Sequence, residues 1–487
     1  MPSSVPLTQT EAVSSVERLP LALGVGVVFL VLYVLRLNWV LSHTPQEVVD
    51  RAGEPLTKEY IQDAFERVKK DGIDWDGKLP PRKDRRYIVV GGSGFLGGQI
   101  ILHLLTMGTP PEAIRILDAR PPFNYKEEFS RGAPSKVEFV LTDITDEAAT
   151  LKSYKAPWPK AVAGLPLTVF HTAGVIRPFE RYGIFYERSS KVNVSGTLHS
   201  LQAAKKVGAG IFIYTSSSNA ALRQVKWLFA PWGSAQQPKG FLQNLSNDDF
   251  FDPPRPPHDF PTNYAQSKAE AERLVCGADE GASRGGVPTL RAGAIRPGNA
   301  VYGHRNDNIT GKMLGLKGFP SWVPANVQNW VHVKNASLAH LQYEDALLGD
   351  NVEQVAGRPF IVTDKGKPLR FRDIYFMLGT ASTTDFEMSY PPPVLMLALS
   401  YLVESFAVLV NAVPLLGRYL SEPGEPLRWL QPGVHATSLH YFVDDSEARK
   451  KPKDGGIGYT PCCTTVEGIC ATVADWNAWV EQEEATK

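Results

Sequence analysis

Tyr87-Ile88-Val89-Val90-Gly91-Gly92-Ser93-Gly94-Phe95-Leu96-Gly97-Gly98 is the stretch on which the reading of this chain turns. A β-branched run leads into a glycine cluster, and Gln99-Ile100-Ile101-Leu102-His103-Leu104-Leu105 then carries helical apolar spacing. A second strand, Ile114-Arg115-Ile116-Leu117, ends on Asp118, about twenty residues beyond the last glycine of the turn. Strand, glycine turn, helix and acid-tipped strand together form a dinucleotide-binding βαβ unit. Glycines let the backbone approach a pyrophosphate at the helix N-terminus, while the acid reaches the ribose hydroxyls. Gly91, Gly94, Phe95, Leu96 and Gly97 are the expected turn contacts. Asp118 repels a 2′-phosphate and so favours NAD over NADP; Arg120, two residues later, pulls the other way.

Working outward, the alternation continues and predicts a doubly wound parallel α/β sheet of the Rossmann type. Val137–Leu141 leads to Asp143 and Ile144, Leu167–His171 to Thr172-Ala173-Gly174, and Gly210–Thr215 to Ser216-Ser217-Ser218. Ligands of such sheets sit at the carboxyl ends of strands, where these residues fall. Taken alone, the serines read as turn chemistry. Tyr264-Ala265-Gln266-Ser267-Lys268 changes that balance, because Tyr and Lys at i and i+4 share one helix face. A lysine cation beside a phenol favours the phenolate, which turns a poor base into a usable one. Ser217, Tyr264 and Lys268 are the candidate catalytic residues.

Further motifs follow in order: Asn193-Val194-Ser195-Gly196-Thr197, Ile295-Arg296-Pro297-Gly298-Asn299, Trp330-Val331-His332-Val333-Lys334 and Gly458-Tyr459-Thr460-Pro461. With them the chain from Arg86 onward resembles the extended short-chain dehydrogenases. It is most similar there to the 3β-hydroxysteroid dehydrogenase/isomerase family, including the decarboxylating sterol-4α-carboxylate 3-dehydrogenases. The resemblance implies Tyr264 as base, Lys268 as its partner and ribose ligand, and Ser217 as holder of the substrate oxygen. It places Ala173 and Gly174 along the cofactor and Pro297 near the nicotinamide. Val90 stands where the family usually has threonine, and the Ser217-to-Tyr264 spacing is longer than usual. The extra residues include Trp227-Leu228-Phe229-Ala230-Pro231-Trp232, read as a lid over an apolar substrate or a membrane contact.

Two apolar runs complete the picture. Residues 19–41 span roughly 34 Å as helix, enough for an ~30 Å hydrocarbon core, and predict an uncleaved N-terminal anchor. Residues 394–416 are as apolar but carry Glu404 near the middle, costly at mid-bilayer, and predict an interfacial or re-entrant segment beside the substrate mouth. A core helix of the substrate lobe is the other reading of that run. The expected organisation is a tail and anchor (1–43), a polar tether (44–85), a NAD-binding domain (86–300) with an insertion at 218–262, and a mainly substrate lobe (301–487).

Composition excludes other classes. Lysine plus arginine balances aspartate plus glutamate at 51 each, with no basic tract for nucleic acid. The four cysteines have neither metal-ligand nor disulfide-framework spacing, which suggests a reducing compartment and no metal. The expected function is NAD-dependent oxidation of a 3β-hydroxyl on a sterol or triterpenoid, with or without loss of a 4α-carboxylate. The expected location is a membrane, the endoplasmic reticulum, with the catalytic domain facing the cytosol. Other sterol-processing membrane enzymes and a second copy of the chain are the expected protein partners. The alternatives are a Δ5-isomerase, a flavonol-type reductase or nucleotide-sugar epimerase, and a non-catalytic scaffold.

Overall fold

The computed structural model describes residues 9–230, 237–281 and 289–486; Pro231 and Trp232 of the aromatic loop lie outside them. Seven parallel strands form the central sheet: β1 (Arg86–Val90), β2 (Ile114–Asp118), β3 (Glu138–Leu141), β4 (Leu167–His171), β5 (Ile211–Thr215), β6 (Arg291–Pro297) and β7 (Pro359–Val362). Their order is β7-β6-β5-β4-β1-β2-β3. The chain leaves β1 to one side for β2 and β3, then crosses to β4, so a switch point lies beside the glycine turn. Tyr87 to Val90 are wholly buried, as continuous apolar strands covered on both faces must be.

Helices cover both faces. On one, α2 (Phe95–Thr106) and α5 (Val333–Leu347) bury Ile100, Ile101, Leu104, Ala339 and Leu341. On the other, α3 (Thr197–Lys206) and α4 (Asn263–Cys276) bury Leu201, Ala204, Ala271 and Val275. β7 and α5 come from beyond residue 300, so the dinucleotide domain does not close at the expected boundary. The edge strand and a covering helix are recruited from the C-terminal part, because without them Ile295 of β6 would lose its cover.

Residues 44–85 are not simply a tether. Thr57 caps a helix over Lys58–Asp71 through its side chain, and that helix buries Ile61 and Ala64. It packs with Phe371–Ala381 and α7 (Thr465–Ala485) into the second core, around Ile374, Met377, Ile469 and Val473. Its apolar positions are only five in fourteen, which is why the stretch has the polar composition of a tether.

The insertion is tied to the C-terminal return by a two-stranded parallel pairing of Leu242–Leu245 with His440–Val443. Trp227 and Phe241 from the insertion join Leu37 and Leu41 of α1 (Gln9–Ser42) and Leu397 of α6 (Pro393–Ala412) in one cluster. The Tyr33 hydroxyl accepts the Phe229 N–H at 3.1 Å, and Asn38 accepts the Val394 N–H at 3.3 Å. The aromatic stretch is therefore a seat for the ends of both apolar helices.

Both α1 and α6 are long and apolar enough to cross a membrane. Every residue from 22 to 32 in α1 is exposed, whereas α6 buries Leu397, Ser400, Glu404, Ala407 and Val410 along one face. Its other face leaves Leu395, Leu399, Leu402, Phe406 and Leu409 exposed.

Candidate active site

The cofactor end is shaped by close backbone approach. Gly91 has φ +79°, and a Cβ there would sit 2.5 Å from the Ala173 nitrogen. A Cβ on Gly97 would overlap the Gly91 carbonyl and come within 2.6 Å of Thr172 Oγ1. Only glycine allows β1, the first turn of α2 and the loop after β4 to meet here. Gly94 is the N-cap of α2 and offers no side-chain cap, so the Phe95, Leu96 and Gly97 N–H groups begin the helix without one. A pyrophosphate fits such an N-terminus.

Asp118 ends β2, and its carboxylate accepts the Ser93 and Arg120 N–H groups, each at 3.1 Å. Burial pushes this carboxyl up, and those two backbone donors oppose the push. The Arg120 guanidinium lies over the Phe123 ring at 4.5 Å. Asp143 is exposed at the end of β3 and accepts the Thr145 N–H at 2.9 Å, while Ile144 is buried against Gly196. Pro297 is the last residue of β6 and is buried, with Gly298 N–H donating to Val362 O.

The three candidate catalytic residues come together at the ends of β5 and α4. Thr262 caps α4 by accepting the Ala265 N–H at 3.1 Å, which starts the helix just ahead of Tyr264. Tyr264 and Lys268 are 6% and 4% exposed. Lys268 Nζ donates to Thr215 O at 2.9 Å, lies 4.8 Å from the Tyr214 ring centre, and comes within 3.1 Å of a Cβ built on Gly174. Ser217 follows β5 in extended conformation and caps the turn Ser218–Ala221 by accepting the Asn219 N–H. Its hydroxyl also faces the Tyr264 phenol and favours loss of the phenolic proton.

The electrostatics differ from the sequence expectation. Burial pushes the Tyr264 phenol up to about 12, with the Ser217 hydrogen bond offsetting part of the rise. Burial likewise pulls the Lys268 ammonium down to about 7, against the pull of Glu272. Desolvation of both groups outweighs the attraction the i, i+4 spacing suggested. Arg296 in turn holds Glu272, donating to both carboxylate oxygens at 2.7 and 2.6 Å, and reaches Asp249 of the insertion.

Asn193 is a site residue whose motif stood out in the sequence without a role. It sits where the helix widens into a π-turn over Lys191–Gly196, a geometry frequent at functional sites. Its amide accepts the Val175 N–H at 2.8 Å and donates to Val175 O and to Ser267 Oγ, so it pins the loop after Gly174 to α4. The five-residue motif signal was visible; the widened turn that aims the side chain was not.

Comparison with known proteins agrees with this geometry. The chain is 26% identical over 404 residues to short-chain dehydrogenase/reductase family 42E member 1 of Danio rerio, covering 80% of this chain and 88% of the relative. It is 26% identical over 286 residues to the decarboxylating sterol-4-alpha-carboxylate 3-dehydrogenase of Candida albicans, covering 57% and 69%. A solved UDP-glucose-4-epimerase from Stenotrophomonas maltophila, with bound NAD, shares the fold at TM-score 0.53 and 15% identity, covering 82% of this chain and 99% of that one. The model of the 3-beta hydroxysteroid dehydrogenase/isomerase family matches residues 88–227 and 247–389, and the chain belongs to that family as an oxidoreductase acting on a CH–OH group.

Proposed function

We propose that this protein is a membrane-associated, NAD-dependent dehydrogenase that oxidises the 3β-hydroxyl of a sterol or related triterpenoid. The observation that carries the reading is the convergence of Ser217, Tyr264 and Lys268 beside the glycine cradle and Gly174. Gly91, Gly94 and Gly97 with the N–H groups of Phe95 and Leu96 would hold the pyrophosphate, and Asp118 the adenosine ribose. Ala173, Gly174 and Pro297 would line the remainder, and Asp143 and Ile144 would flank the adenine end. Bound NAD supplies the hydride acceptor.

The chain's own residues then manage one proton. Ser217 holds the alcohol oxygen, and Tyr264 takes its proton as the carbinol carbon loses hydride. Lys268, fixed by Thr215 O, keeps a positive end near the phenol and a donor for ribose hydroxyls. A buried phenol makes a stronger base once deprotonated than a solvated one, so the high value in the ligand-free chain is compatible with the role. With a 4α-carboxylate on the substrate, the product is a β-keto acid, whose new carbonyl accepts the charge released as CO₂ departs. That step needs no additional acid.

The exposed apolar rows of α1 and α6 support a bilayer location and a lipidic substrate. The decarboxylating dehydrogenase and 3 beta-hydroxysteroid dehydrogenase type 7 among the relatives support a sterol, and our reading puts the protein at the endoplasmic reticulum with the catalytic domain facing the cytosol. The test is purified protein with NAD and a panel of 3β-hydroxysterols, with and without a 4α-carboxylate, followed by NADH absorbance. NADH formation with 3β- but not 3α-alcohols is the expected result. Turnover confined to nucleotide sugars would discard the sterol reading.

A further inference from the structure

Helix α6 has a single charged residue among its twenty, Glu404, and buries it to 2% exposure. The partner is Arg181, whose Nε and Nη2 donate to the two carboxylate oxygens at 2.8 and 2.6 Å. Its guanidinium also lies 5.2 Å from the Tyr401 ring centre, one turn earlier on the same helix. Arg181 belongs to the loop that leaves Gly174 and runs to Phe185. The residues on either side of it reach the catalytic helix: Glu180 O accepts the Asn263 N–H at 2.9 Å, and Tyr182 O accepts Asn263 Nδ2 at 2.9 Å. Asn263 immediately precedes Tyr264. A second tie closes the end of α6, where Arg188 donates to Glu180, Glu422 and Asn411. A cleft of about 290 Å³, lined by Arg177, Phe179, Phe185, Ala407 and Gln431, lies among this loop, α6 and the segment 422–431.

Buried ion pairs are weak stabilisers, since a well-packed apolar pair of similar volume does as well; fixing register is their best-attested use. Register is what α6 lacks. Its apolar residues run round the whole helix, so packing alone does not choose the face turned to the enzyme. A bidentate pair is satisfied in one rotation and one axial position only.

We propose that Arg181 and Glu404 are positioning residues that fix the rotation of α6 against the 175–185 loop. They thereby hold the substrate mouth in the shape that accepts a sterol from the bilayer. The inference rests on the sterol and membrane reading above. It turns Leu395, Leu402, Phe406 and Leu409 to lipid and the Glu404 face to the cleft. The loop carries that alignment to the residue before Tyr264.

The decisive variant is Arg181→Met with Glu404→Leu, which replaces the pair by apolar groups and leaves no buried charge. NADH formation is compared for a 3β-hydroxysterol in phosphatidylcholine vesicles and for a water-soluble secondary alcohol. The expected result is a KM for the vesicle-borne sterol raised about tenfold with kcat unchanged, the signature of lost binding rather than lost chemistry. Both constants for the soluble alcohol should stay within about twofold, because the reacting groups are untouched. Equal loss of kcat on both substrates, or no change on either, overturns the proposal. Spin labels at Leu402→Cys and Ala407→Cys in the otherwise wild-type chain decide it independently of folding in the double variant. The first should be relaxed by lipid-dissolved oxygen and the second not; equal relaxation overturns the fixed rotation. Wild-type protein inactive on both alcohols would instead remove the function reading, with the label result still deciding α6.

Discussion

Helices α1 and α6 have similar hydropathy and both pass the length test for a membrane span, yet they meet the rest of the molecule differently. Among its described side chains, α1 is exposed on every side from residue 22 to 32 and joins the fold near its end, through residues that include Tyr33, Leu37, Asn38, Val40 and Leu41. α6 lies along the protein, with one face buried and Glu404 paired. Mean hydropathy averages over the helix surface and so cannot distinguish these cases. The burial of a charge on one face does, as with Glu404 at 2% exposure on α6.

The comparison can be attacked in order of expected effect. Chemistry should be indifferent to both helices, so Tyr264→Phe should lower kcat about 10²–10⁴-fold for vesicle-borne and soluble alcohols alike while NAD still binds. A loss on one substrate only would tie Tyr264 to membrane docking. Glu404→Leu alone strands the Arg181 guanidinium in the interior and should cost about 3–5 kcal/mol of stability in denaturant titrations. The double variant with Arg181→Met should recover most of it. A single variant as stable as wild type would mean that α6 moves away from Arg181 without penalty and that the two helices are alike after all.

The pH profile comes next. Tyr264 must lose its proton to act as base, and burial pushes its phenol up to about 12. kcat/KM for oxidation reports free-enzyme groups, so it should climb with pH about tenfold per unit at its steepest, without a plateau below about pH 10. A plateau near neutrality would assign the rising limb to Lys268, whose ammonium is pulled down to about 7. Asp118→Ala should weaken NAD about tenfold and improve NADP relative to it, since the carboxylate both binds hydroxyls and repels phosphate. Preference for NADP in the wild type would make Arg120 the governing residue.

The smallest effect sharpens α1 itself. Removing residues 1–43 would uncover Trp227 and Leu397 by taking Leu37 and Leu41 away, so the informative cut is 1–32, which leaves Tyr33 onward in place. That protein should become partly extractable by carbonate while keeping its activity on a soluble alcohol. Full release to the soluble fraction would show that the outward face of α6 carries no lipid affinity, and unchanged resistance would show that α6 spans.

Much of the dinucleotide half was legible because its information is local. The turn from Gly91 to Gly97, the acid at Asp118 and the Tyr264–Lys268 spacing each need only a few neighbouring residues to be recognised. The sheet order then follows from the handedness and shortness of βαβ crossovers. Less was legible where partners are far apart in the chain. The Lys58–Asp71 helix was part of the expected polar tether because the helices that bury Ile61 and Ala64 come from residues beyond 370. The aromatic part of the insertion read as a lid or a membrane contact, and nothing in the sequence marked the strand Leu242–Leu245, which pairs with residues nearly two hundred positions later.

By itself, then, the sequence determined the strand-and-helix alternation, the glycine turn and which side chains are candidates for the chemistry, all governed by short-range sterics and spacing. Only the tertiary structure decided the protonation balance at Tyr264 and Lys268, because desolvation depends on everything that surrounds a group. It also decided the place of Glu404. A charge in an apolar run is a liability until a partner is found, and Arg181, more than two hundred residues away, is brought to it by the fold.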